Sequence, residues 1–388
     1  MSLYNQRGAS AQKEEVHLAV KDLDSGLYPH SFCKIYPDIL CGEKNWVNVM
    51  HADGAGTKSI LAYMYWKETG DISVWKGIAQ DAIVMNLDDL LCAGVYDDIV
   101  FNSIIDRNKL RIPGTVLQEI INGTSHFFDM LEQFGIHVKF MGGETADVGD
   151  VVRTVTVNGV MTARWRAEEV ISNEKIQMGD VIVGLASYGK STYETEYNSG
   201  IGSNGLTSAR HDVLSKKYAT QFPESYEHGL DDEVVYIGRH NLTDPMPGNP
   251  ALTVGKHLLS PTRTYAPIIK EVLESMFGGI HGMIHCSGGG QTKCLKYLPR
   301  PLRIVKDNLF SPPPVFELIR ESSGAEMREM YQVFNMGCRL EIYCPSEYAR
   351  EIISISNKFG VEAAIIGRVE PADKKELILD NADGIFRF

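Results

Sequence analysis

The feature that most constrains this chain is a strand, a glycine turn and a helix start within residues 47–61, VNVMHADGAGTKSIL. Alternating apolar residues at its opening predict a short buried strand, and the apolar spacing of residues 58–66 predicts a helix. The turn between them is rich in glycine. Backbone N–H groups at a helix N-terminus attract anions. The stretch therefore predicts an anion site at the end of a strand.

Two charged residues flank that turn. Asp53 ends the predicted strand, and Lys58 begins the predicted helix. A nucleoside triphosphate with Mg²⁺ needs this pairing, because lysine and N–H groups hold phosphate oxygens while a carboxylate holds the metal. The turn is not a Walker loop, because Thr57 rather than glycine precedes the lysine and the loop is too short. Taken alone the signal is weak, because a glycine turn between a strand and a helix is more often a plain connection.

Two further acids, Asp88 and Asp89, stand near the end of a helix predicted over residues 72–93. The negative end of the helix dipole disfavours carboxylates there, and a bound cation would remove that penalty. Asn86 lies three residues before Asp89 and shares its helix face. A metal site and a solvated helix end are both compatible with this pattern.

A second glycine-flanked acid follows a strand predicted at residues 137–141. Glu144 comes directly after two glycines, and Asp147 is close behind. A tight turn carrying a solvated acid is the alternative interpretation. Carboxylates at the ends of elements within one domain are a common way to hold Mg²⁺ together with substrate phosphates. We therefore expect Asp53, Asp89 and Glu144 to converge in the folded chain.

A change of composition divides the chain. A charged stretch at residues 168–178 follows a strand predicted over residues 151–165, whose apolar residues alternate with polar ones. We place the boundary there, which gives an N-terminal domain at 1–170 and a C-terminal domain at 171–388. Strands and helices alternate through the second domain.

The second domain carries two more loops of the same chemical type. Residues 202–205 (GSNG) precede a predicted helix, and residues 287–290 (SGGG) follow a predicted strand. Both could hold an anion, or could be ordinary flexible turns. Arg263 could clamp a phosphate or cap the surface, and His285 is more often a hydrogen-bonded residue than a base. The pattern favours phosphoryl transfer by positioning and metal over a covalent enzyme nucleophile.

Composition limits the partners. The chain is 44% hydrophobic and 23% charged, as in an ordinary soluble protein, and its net charge of -12 argues against nucleic acid or an anionic membrane as partner. Its seven cysteines form no CxxC pair, which is typical of free thiols in a reducing compartment. The first residues lack the apolar core of a signal peptide. We expect a cytoplasmic protein that binds a small molecule.

Taken together, the motifs resemble those of the phosphoribosylformylglycinamidine cyclo-ligase family, also called aminoimidazole ribonucleotide synthetase. In the family the corresponding motifs read DGVGTK, GGETAE, SNG, PTRxY, T/S-GGG and FNxG. The matching segments are residues 53–58 (DGAGTK), 142–147 (GGETAD), 203–205 (SNG), 261–265 (PTRTY), 287–290 (SGGG) and 334–337 (FNMG). Each motif is short, but the ordered set is highly specific.

The resemblance implies a two-domain α/β (α+β) fold. The N-terminal domain would contribute half of a β-barrel shared by a homodimer, and the C-terminal domain would be an α/β layer. The implied reaction uses ATP and Mg²⁺ to close the imidazole ring of formylglycinamidine ribonucleotide, giving aminoimidazole ribonucleotide through an iminophosphate. The ring closes by attack of the substrate's own nitrogen, which agrees with the lack of an enzyme nucleophile.

The resemblance also implies roles for individual residues. Lys58 and Asp53 would be catalytic, and Asp53, Asp89 and Glu144 would bind the metal. The residues implied to bind ATP are Gly54, Gly56, Thr57, Lys58, Asn86, Gly142, Gly143, Glu144 and Thr145. The residues implied to bind the ribonucleotide are Ser203, Asn204, Gly205, Arg263, Ser287, Gly288, Gly289 and Asn335.

The chain departs from the family pattern at several places. The family usually has Asn-Asp where this chain has Asp88 and Asp89, and Arg339 replaces the second glycine after FNxG. Residues 190–201 are longer than the usual few before SNG, and the polar segment 216–253 is also enlarged. A loop of that length is often functional or mobile. These departures concern the substrate side more than the ATP side.

Related enzymes that share the ATP architecture are the alternatives: thiamine-monophosphate kinase, selenophosphate synthetase, the hydrogenase-maturation dehydratase and formylglycinamidine ribonucleotide synthetase. Selenophosphate synthetase would need a reactive cysteine in a glycine-rich segment, a context that Cys33 lacks. The kinase usually has GGDT and ISDG. A non-catalytic nucleotide-binding homologue is a further alternative, against which the retained Asp53, Lys58, Asp89 and Glu144 argue.

Overall fold

A computed structural model describes residues 3–10 and 14–388, and the first part of the chain forms a five-stranded sheet with helices on one face. Its strands are β1 (Lys34–Pro37), β2 (Trp46–Gly54), β3 (Ile99–Arg107), β4 (Val138–Asp147) and β5 (Val155–Arg166). Its helices are α3 (Lys58–Thr69), α4 (Val74–Cys92) and α5 (Gly114–Glu132), and two short helices, α1 (Leu3–Gln6) and α2 (Glu14–Ala19), precede the sheet in sequence. The strand order is β1-β2-β5-β3-β4, with β3 and β4 parallel and the other neighbours antiparallel.

The second part of the chain forms a mixed sheet of seven strands in the order β14-β13-β10-β12-β6-β11-β9, and a separate short hairpin lies between β6 and β9 in sequence. Its strands are β6 (Val181–Ala186), β9 (Gly282–His285), β10 (Leu302–Lys306), β11 (Cys338–Cys344), β12 (Ala363–Pro371), β13 (Glu376–Asn381) and β14 (Gly384–Arg387), and the hairpin is β7 (Pro245–Met246) with β8 (Asn249–Thr253). Its helices are α6 (Leu206–Val213), α7 (Lys217–Gln221), α8 (Val254–Leu259), α9 (Ala266–Met276), α10 (Cys294–Tyr297), α11 (Pro314–Ser323), α12 (Met327–Val333) and α13 (Ser346–Lys358).

Helix α4 joins the two parts. It packs on β2 and β5 of the first sheet and on β9 and α9 of the second part. Its residues are buried almost all round, including the acids Asp81, Asp88 and Asp89. A helix that is hydrophobic on every side is one that protein surrounds. The acids on it therefore face protein groups of both parts instead of bulk water.

The helices predicted at 58–66 and 72–93 are confirmed as α3 and α4 within a few residues. One prediction about the backbone was wrong. The strand predicted at 137–141 continues to Asp147, so the GGETAD segment lies in β4 and not in a turn. It pairs with β3 across a bulge, where Gly142 has a φ of 86°.

The enlarged segment 216–253 is packed and not an open loop. Tyr218, Tyr236, Leu242 and Met246 are all buried, and the segment contains α7 and the β7–β8 hairpin. The described part of the first 45 residues contains α1, α2 and β1. No helix in the described ranges is long and apolar enough to cross a membrane.

Candidate active site

The glycine turn lies where β2 ends and α3 begins, as the sequence predicted. Asp53 is exposed at the end of β2, and its Oδ1 accepts a hydrogen bond from the N–H of Gly54 at 2.7 Å. Gly56 has a φ of 57°, and no atom lies within 4 Å of the position that a Cβ would take. A ligand can therefore approach the backbone closely at this glycine.

Lys58 points away from solvent and toward the second part of the chain. Its Nζ forms an ion pair with Asp81 at 2.9 Å and donates to the carbonyl oxygens of Gly202 (3.0 Å) and Ser260 (2.5 Å). The side chain is fully buried. Burial lowers the pKa of Lys58 despite the opposing attraction of Asp81. Lys58 thus connects the glycine turn to two loops that follow β6 and α8.

The predicted ATP-side turn and the predicted ribonucleotide-side loop touch each other. Ser203 Oγ donates to the carbonyl oxygen of Ala55 at 3.1 Å, and the hydroxyls of Thr57 and Thr207 are 2.8 Å apart. Gly205 caps α6 with a φ of 77°. Asn204 is half-buried beside the SGGG loop, where its Oδ1 lies near Gly288. The structure therefore brings the DGAGTK, SNG and SGGG segments together at the boundary between the two parts of the chain, and this boundary is the candidate cleft.

Asp89 lies between two histidines. His285 Nδ1 lies 2.6 Å from its Oδ1, and His51 Nε2 lies 3.1 Å from its Oδ2. Burial alone would raise the pKa of Asp89, but the hydrogen bonds from His285 and His51 outweigh it and hold that pKa well below its usual range. Asn86 completes the group, because its Oδ1 is 3.2 Å from His51 Nδ1. Asp89 is therefore an ionised carboxylate with both oxygens engaged.

The expected convergence of Asp53, Asp89 and Glu144 within one chain was wrong. No group of three or more His, Cys, Asp or Glu side chains in the described residues is arranged to hold a metal ion. The sheet register explains why: Asp53 pairs with Gly159, Gly159 with Ser103, and Ser103 with Gly143, the residue before Glu144. Three strand spacings of about 4.8 Å separate Asp53 from Glu144 by about 14 Å.

The GGET residues lie on the outermost strand of the first sheet. Gly142, Gly143, Glu144 and Thr145 are all exposed along β4. Asp147, at the end of that strand, pairs with Arg107 at 2.7 Å. The structure therefore places the GGET segment far from the glycine turn of the same chain, and its predicted ATP contacts stay a prediction.

Arg263, predicted to clamp a phosphate, is buried and already paired. Its Nε and Nη2 donate to the carboxylate of Glu194, and its Nη1 donates to the carbonyl oxygens of Ala186 and Tyr188. Glu194 lies in the 190–201 segment that departs from the family pattern. The inserted segment therefore supplies the counter-ion of Arg263, and all three nitrogens of that buried guanidinium already donate to protein oxygens.

The remaining predicted residues are held in place by hydrogen bonds within the second part of the chain. Asn335 accepts from Ser187 Oγ at 2.9 Å and donates to the carbonyl oxygen of Gly200 at 2.9 Å. Gln291, directly after the SGGG loop, donates to the carbonyl oxygen of Asn335 at 2.6 Å. Ser287 Oγ lies 3.2 Å from His285 Nδ1. Gly288 and Gly289 have φ values of 53° and 114°, in the region that favours glycine.

Sequence reasoning missed three residues that shape this site: His51, Asp81 and Glu194. A signal existed for His51, because it stands two residues before Asp53 and strand alternation places both side chains on one face. Asp81 carried a weaker signal as an acid inside an otherwise apolar helix. Nothing local to Glu194 indicates that its partner is Arg263, which lies far along the chain.

Two family models match the chain. The model described as the N-terminal domain of AIR synthase related protein matches residues 37–164, and the model described as its C-terminal domain matches residues 177–380. The chain therefore belongs to the AIR synthase related protein family. The two-domain fold class predicted from the motifs is confirmed, while the shared dimer barrel stays a prediction.

Two named relatives match most of the chain. It is 29% identical over 322 residues to phosphoribosylformylglycinamidine cyclo-ligase of Methanocaldococcus jannaschii, covering 83% of this chain and 77% of the relative. It is also 29% identical over 379 residues to the protein of that name from Methanothermobacter thermautotrophicus, covering 95% and 94%. Among solved structures, thiamine monophosphate kinase from Aquifex aeolicus has a TM-score of 0.53 at 11% identity, covering 97% and 98%. At that identity the likeness shows the shared fold.

Proposed function

We propose that this chain uses ATP to close the imidazole ring of formylglycinamidine ribonucleotide. The γ-phosphoryl group of ATP transfers to the formamide oxygen and gives ADP and an iminophosphate. The amidine nitrogen of the substrate then attacks the activated carbon, and phosphate and a proton leave as the ring closes. The nucleophile belongs to the substrate, so the protein supplies orientation and charge.

The observation that carries the proposal is the contact between the DGAGTK turn and the SNG loop, with Lys58 bridging both. These are the segments expected to hold ATP and the ribonucleotide, and phosphoryl transfer requires the two reactants side by side. The relatives that carry the cyclo-ligase name support the choice of substrate. A thiamine-monophosphate kinase or a selenophosphate synthetase would use the same ATP side with a different acceptor.

A substrate panel tests the proposal. Purified protein with Mg²⁺ and ATP is given formylglycinamidine ribonucleotide, thiamine monophosphate or selenide, and ADP release is followed together with imidazole formation. We expect ADP and imidazole in equal amounts with the first substrate and neither product with the others. ADP release with thiamine monophosphate or selenide alone would contradict the assignment and leave the ATP site intact.

Mg²⁺ fits the exposed carboxylates at Asp53 and Glu144, because oxygen donors are what this ion prefers. When bound, it would neutralise charge on the transferring phosphoryl group. The ligands of one Mg²⁺ ion all lie about 2.1 Å from it. Two carboxylates on distant strands of one chain do not meet that condition. If both bind the same ion, they therefore belong to two different subunits.

We further propose a homodimer built on the outer face of the first sheet, the face opposite α4. Apolar side chains are exposed there: Met50 and Val100 flank Thr162 in one row, and Ile104 follows on β3. Their exposed fractions are 59%, 40% and 36%. Contiguous exposed apolar side chains mark an interaction surface. Ile104→Arg should convert a dimer into a folded monomer in light scattering, whereas a wild-type chain that is monomeric at micromolar concentration would contradict the dimer.

Mixing two inactive variants tests the shared metal site. Asp53→Asn and Glu144→Gln are each expected to lose activity. If the site spans two subunits, a reassorted mixture should recover about one quarter of wild-type activity, because a heterodimer keeps one intact site. The double variant mixed with either single variant is the matched control and should recover nothing. No recovery in the first mixture would place each site within one subunit.

A further inference from the structure

Two of the positions at which the chain departs from the motifs of the family it resembles meet in the folded chain. Arg339 stands where the family has its second glycine after FNxG, and Asp88 stands where it has asparagine. Their side chains form an ion pair, with Arg339 Nη2 and Asp88 Oδ2 2.9 Å apart and both groups almost completely buried. They come from β11 and α4, which are 251 residues apart in sequence. We propose that Arg339 and Asp88 act together as one unit. In this unit Arg339 positions His285, and Asp88 is the counter-ion that allows the charge of Arg339 to be buried there.

Charge explains why the two residues belong together. A lone buried guanidinium or carboxylate is strongly destabilising, whereas a well hydrogen-bonded pair is tolerated. Asp88 also accepts a hydrogen bond from Thr264 Oγ1 at 2.9 Å. The guanidinium of Arg339 stacks on the Tyr265 ring, 4.9 Å from its centroid, and donates to the carbonyl oxygen of Arg263. The pair is therefore embedded in the PTRTY segment, on the substrate side of the cleft.

The positioning role follows from donor and acceptor chemistry. A guanidinium has only donors, and Nη1 of Arg339 points at His285 Nε2, which must therefore act as the acceptor. A neutral imidazole with an acceptor Nε2 carries its proton on Nδ1, and that nitrogen lies 2.6 Å from Asp89 Oδ1. Arg339 thus selects one tautomer of a fully buried histidine, and in that tautomer Nδ1–H of His285 donates a hydrogen bond to Asp89.

The consequence reaches the glycine turn. Asp89 is held with one oxygen on His285 and the other on His51, two residues before Asp53. A chain of contacts therefore runs from Asp88 through Arg339, His285 and Asp89 to the end of β2. A glycine at position 339 would leave Nε2 of His285 without this donor. The inference rests on the proposed function only for its effect on turnover, because the tautomer and the ion pair are properties of the folded chain.

Four variants of the full chain test the unit: Arg339→Gly, Arg339→Lys, Asp88→Asn, and the family-like double variant Arg339→Gly with Asp88→Asn. Each single loss of charge should lower Tm, and the double variant should lose less than the sum of the two single losses. Losses that simply add would overturn the pairing. Arg7→Lys alters another buried arginine–aspartate pair, with Asp212 at 2.5 Å, and is the matched control.

Histidine-labelled NMR reads the positioning role directly. The wild-type chain should show His285 as the Nδ1–H tautomer, and Arg339→Lys and Arg339→Gly should show a mixture of tautomers. Arg7→Lys should leave those signals unchanged. Unchanged His285 signals in both Arg339 variants would overturn the positioning role, whatever happens to Tm. These readouts need no substrate, so a failure of the proposed function does not affect them.

Turnover gives the last readout. With formylglycinamidine ribonucleotide as substrate, Arg339→Gly should lower kcat by about 10- to 100-fold, the usual cost of removing a group that orients an active-site ligand. Millimolar guanidinium should restore part of that loss, and equal NaCl should not. A kcat that stays at the wild-type level in Arg339→Gly, on an enzyme that turns over this substrate, would contradict the role in the reaction.

Discussion

Two buried lysines, Lys58 and Lys306, differ in their partners: Lys58 contacts both parts of the chain at the candidate site, and Lys306 contacts only the second part. Both are fully buried, and each pairs with a buried carboxylate, Asp81 and Glu341 respectively. Lys306 donates to the backbone and side-chain oxygens of Gln291 at 2.9 and 3.0 Å, all within the second domain. Lys58 instead reaches carbonyl oxygens that lie across the cleft from its own helix.

The carboxylates differ as well. Glu341 uses both oxygens, since Tyr343 donates to Oε2 at 2.8 Å while Lys306 pairs with Oε1. Lys58 and Thr262 both contact Oδ1 of Asp81, whereas its Oδ2 has no hydrogen-bond partner within the described ranges. Burial lowers the pKa of Lys58, whereas the pKa of Lys306 is raised because its neighbours outweigh burial. Lys306 and Glu341 thus form a fully hydrogen-bonded pair within the second domain, whereas Lys58 and Asp81 form a pair within the first domain whose further contacts, Gly202, Ser260 and Thr262, lie in the second.

The largest expected effect is on turnover. Lys58→Met should lower kcat by about 100-fold or more, because it removes the ammonium that ties the glycine turn to the loops at Gly202 and Ser260, and small misplacements of reacting groups cost about that much. Lys306→Met should leave kcat per folded molecule near the wild-type value, since Lys306 contacts Glu341 and Gln291 within the second domain and makes no contact with the glycine turn. Steady-state kinetics, normalised to the folded fraction from circular dichroism, measures both. Equal losses in the two variants would remove the distinction between the two lysines.

For both lysines, removing the partner carboxylate as well should restore the free energy of unfolding. Lys306→Met should lower the free energy of unfolding by about 3–5 kcal/mol, because it leaves Glu341 buried and unpaired. Adding Glu341→Gln should recover most of that loss, as urea unfolding can measure. The matched pair of variants, Lys58→Met with Asp81→Asn, should recover stability in the same way without recovering turnover. Recovered turnover in that double variant would show that the charge of Lys58 is dispensable.

Local signals in the sequence were enough for the main helices and for the DGAGTK turn. The periodicity around α3 and α4 and the glycines after β2 carry that information within a few residues. The GGETAD segment misled because its glycines indicate a turn, while pairing with β3 keeps it extended. Sheet pairing is a long-range effect that overrides local preference.

The partners in the candidate site could not be predicted in the same way. Arg263 matches a motif, but its engagement by Glu194 depends on how an inserted segment folds back. Arg339 looked like an isolated departure until the fold placed it against Asp88. Asp89 matched its motif, yet the two histidines that engage it come from opposite sheets. Motifs identify which residues matter, and only the fold identifies what each one contacts.

A third buried basic side chain, Arg263, tests the same dependence on a carboxylate partner, with a smaller expected effect on stability. Glu194→Gln keeps a hydrogen-bond acceptor but removes the charge that faces the buried guanidinium. It should lower the free energy of unfolding by about 1.5–3 kcal/mol, the range for a hydrogen bond to a charged group. Glu196→Gln, two residues along the same segment, is the control. A change no larger than that of the control would mean that Arg263 does not depend on this partner.

The smallest effect concerns His257, a buried base with no acid beside it. Both of its ring nitrogens lack a hydrogen-bond partner in the part of the chain that the structure describes, and burial lowers its pKa from 6.5 to about 4. Unlike the two lysines, it should therefore be neutral near pH 7. The unfolded chain binds a proton here between pH 6.5 and 4 while the folded chain does not. Stability should consequently be complete above pH 6.5 and fall as the pH drops toward 4.

His257→Phe keeps a buried ring and removes the titration. Between pH 7 and pH 5, the free energy of unfolding of the wild-type chain should fall by about 1–2 kcal/mol more than that of this variant. Urea unfolding at the two pH values measures the difference, and groups other than His257 cancel because both proteins carry them. His126→Gln, which removes an exposed imidazole, is the control. If the free energies of unfolding of the wild-type chain and His257→Phe change in parallel with pH, an acid or a water molecule keeps this histidine charged. Burial without a carboxylate would then not be enough to keep an imidazole neutral in this fold.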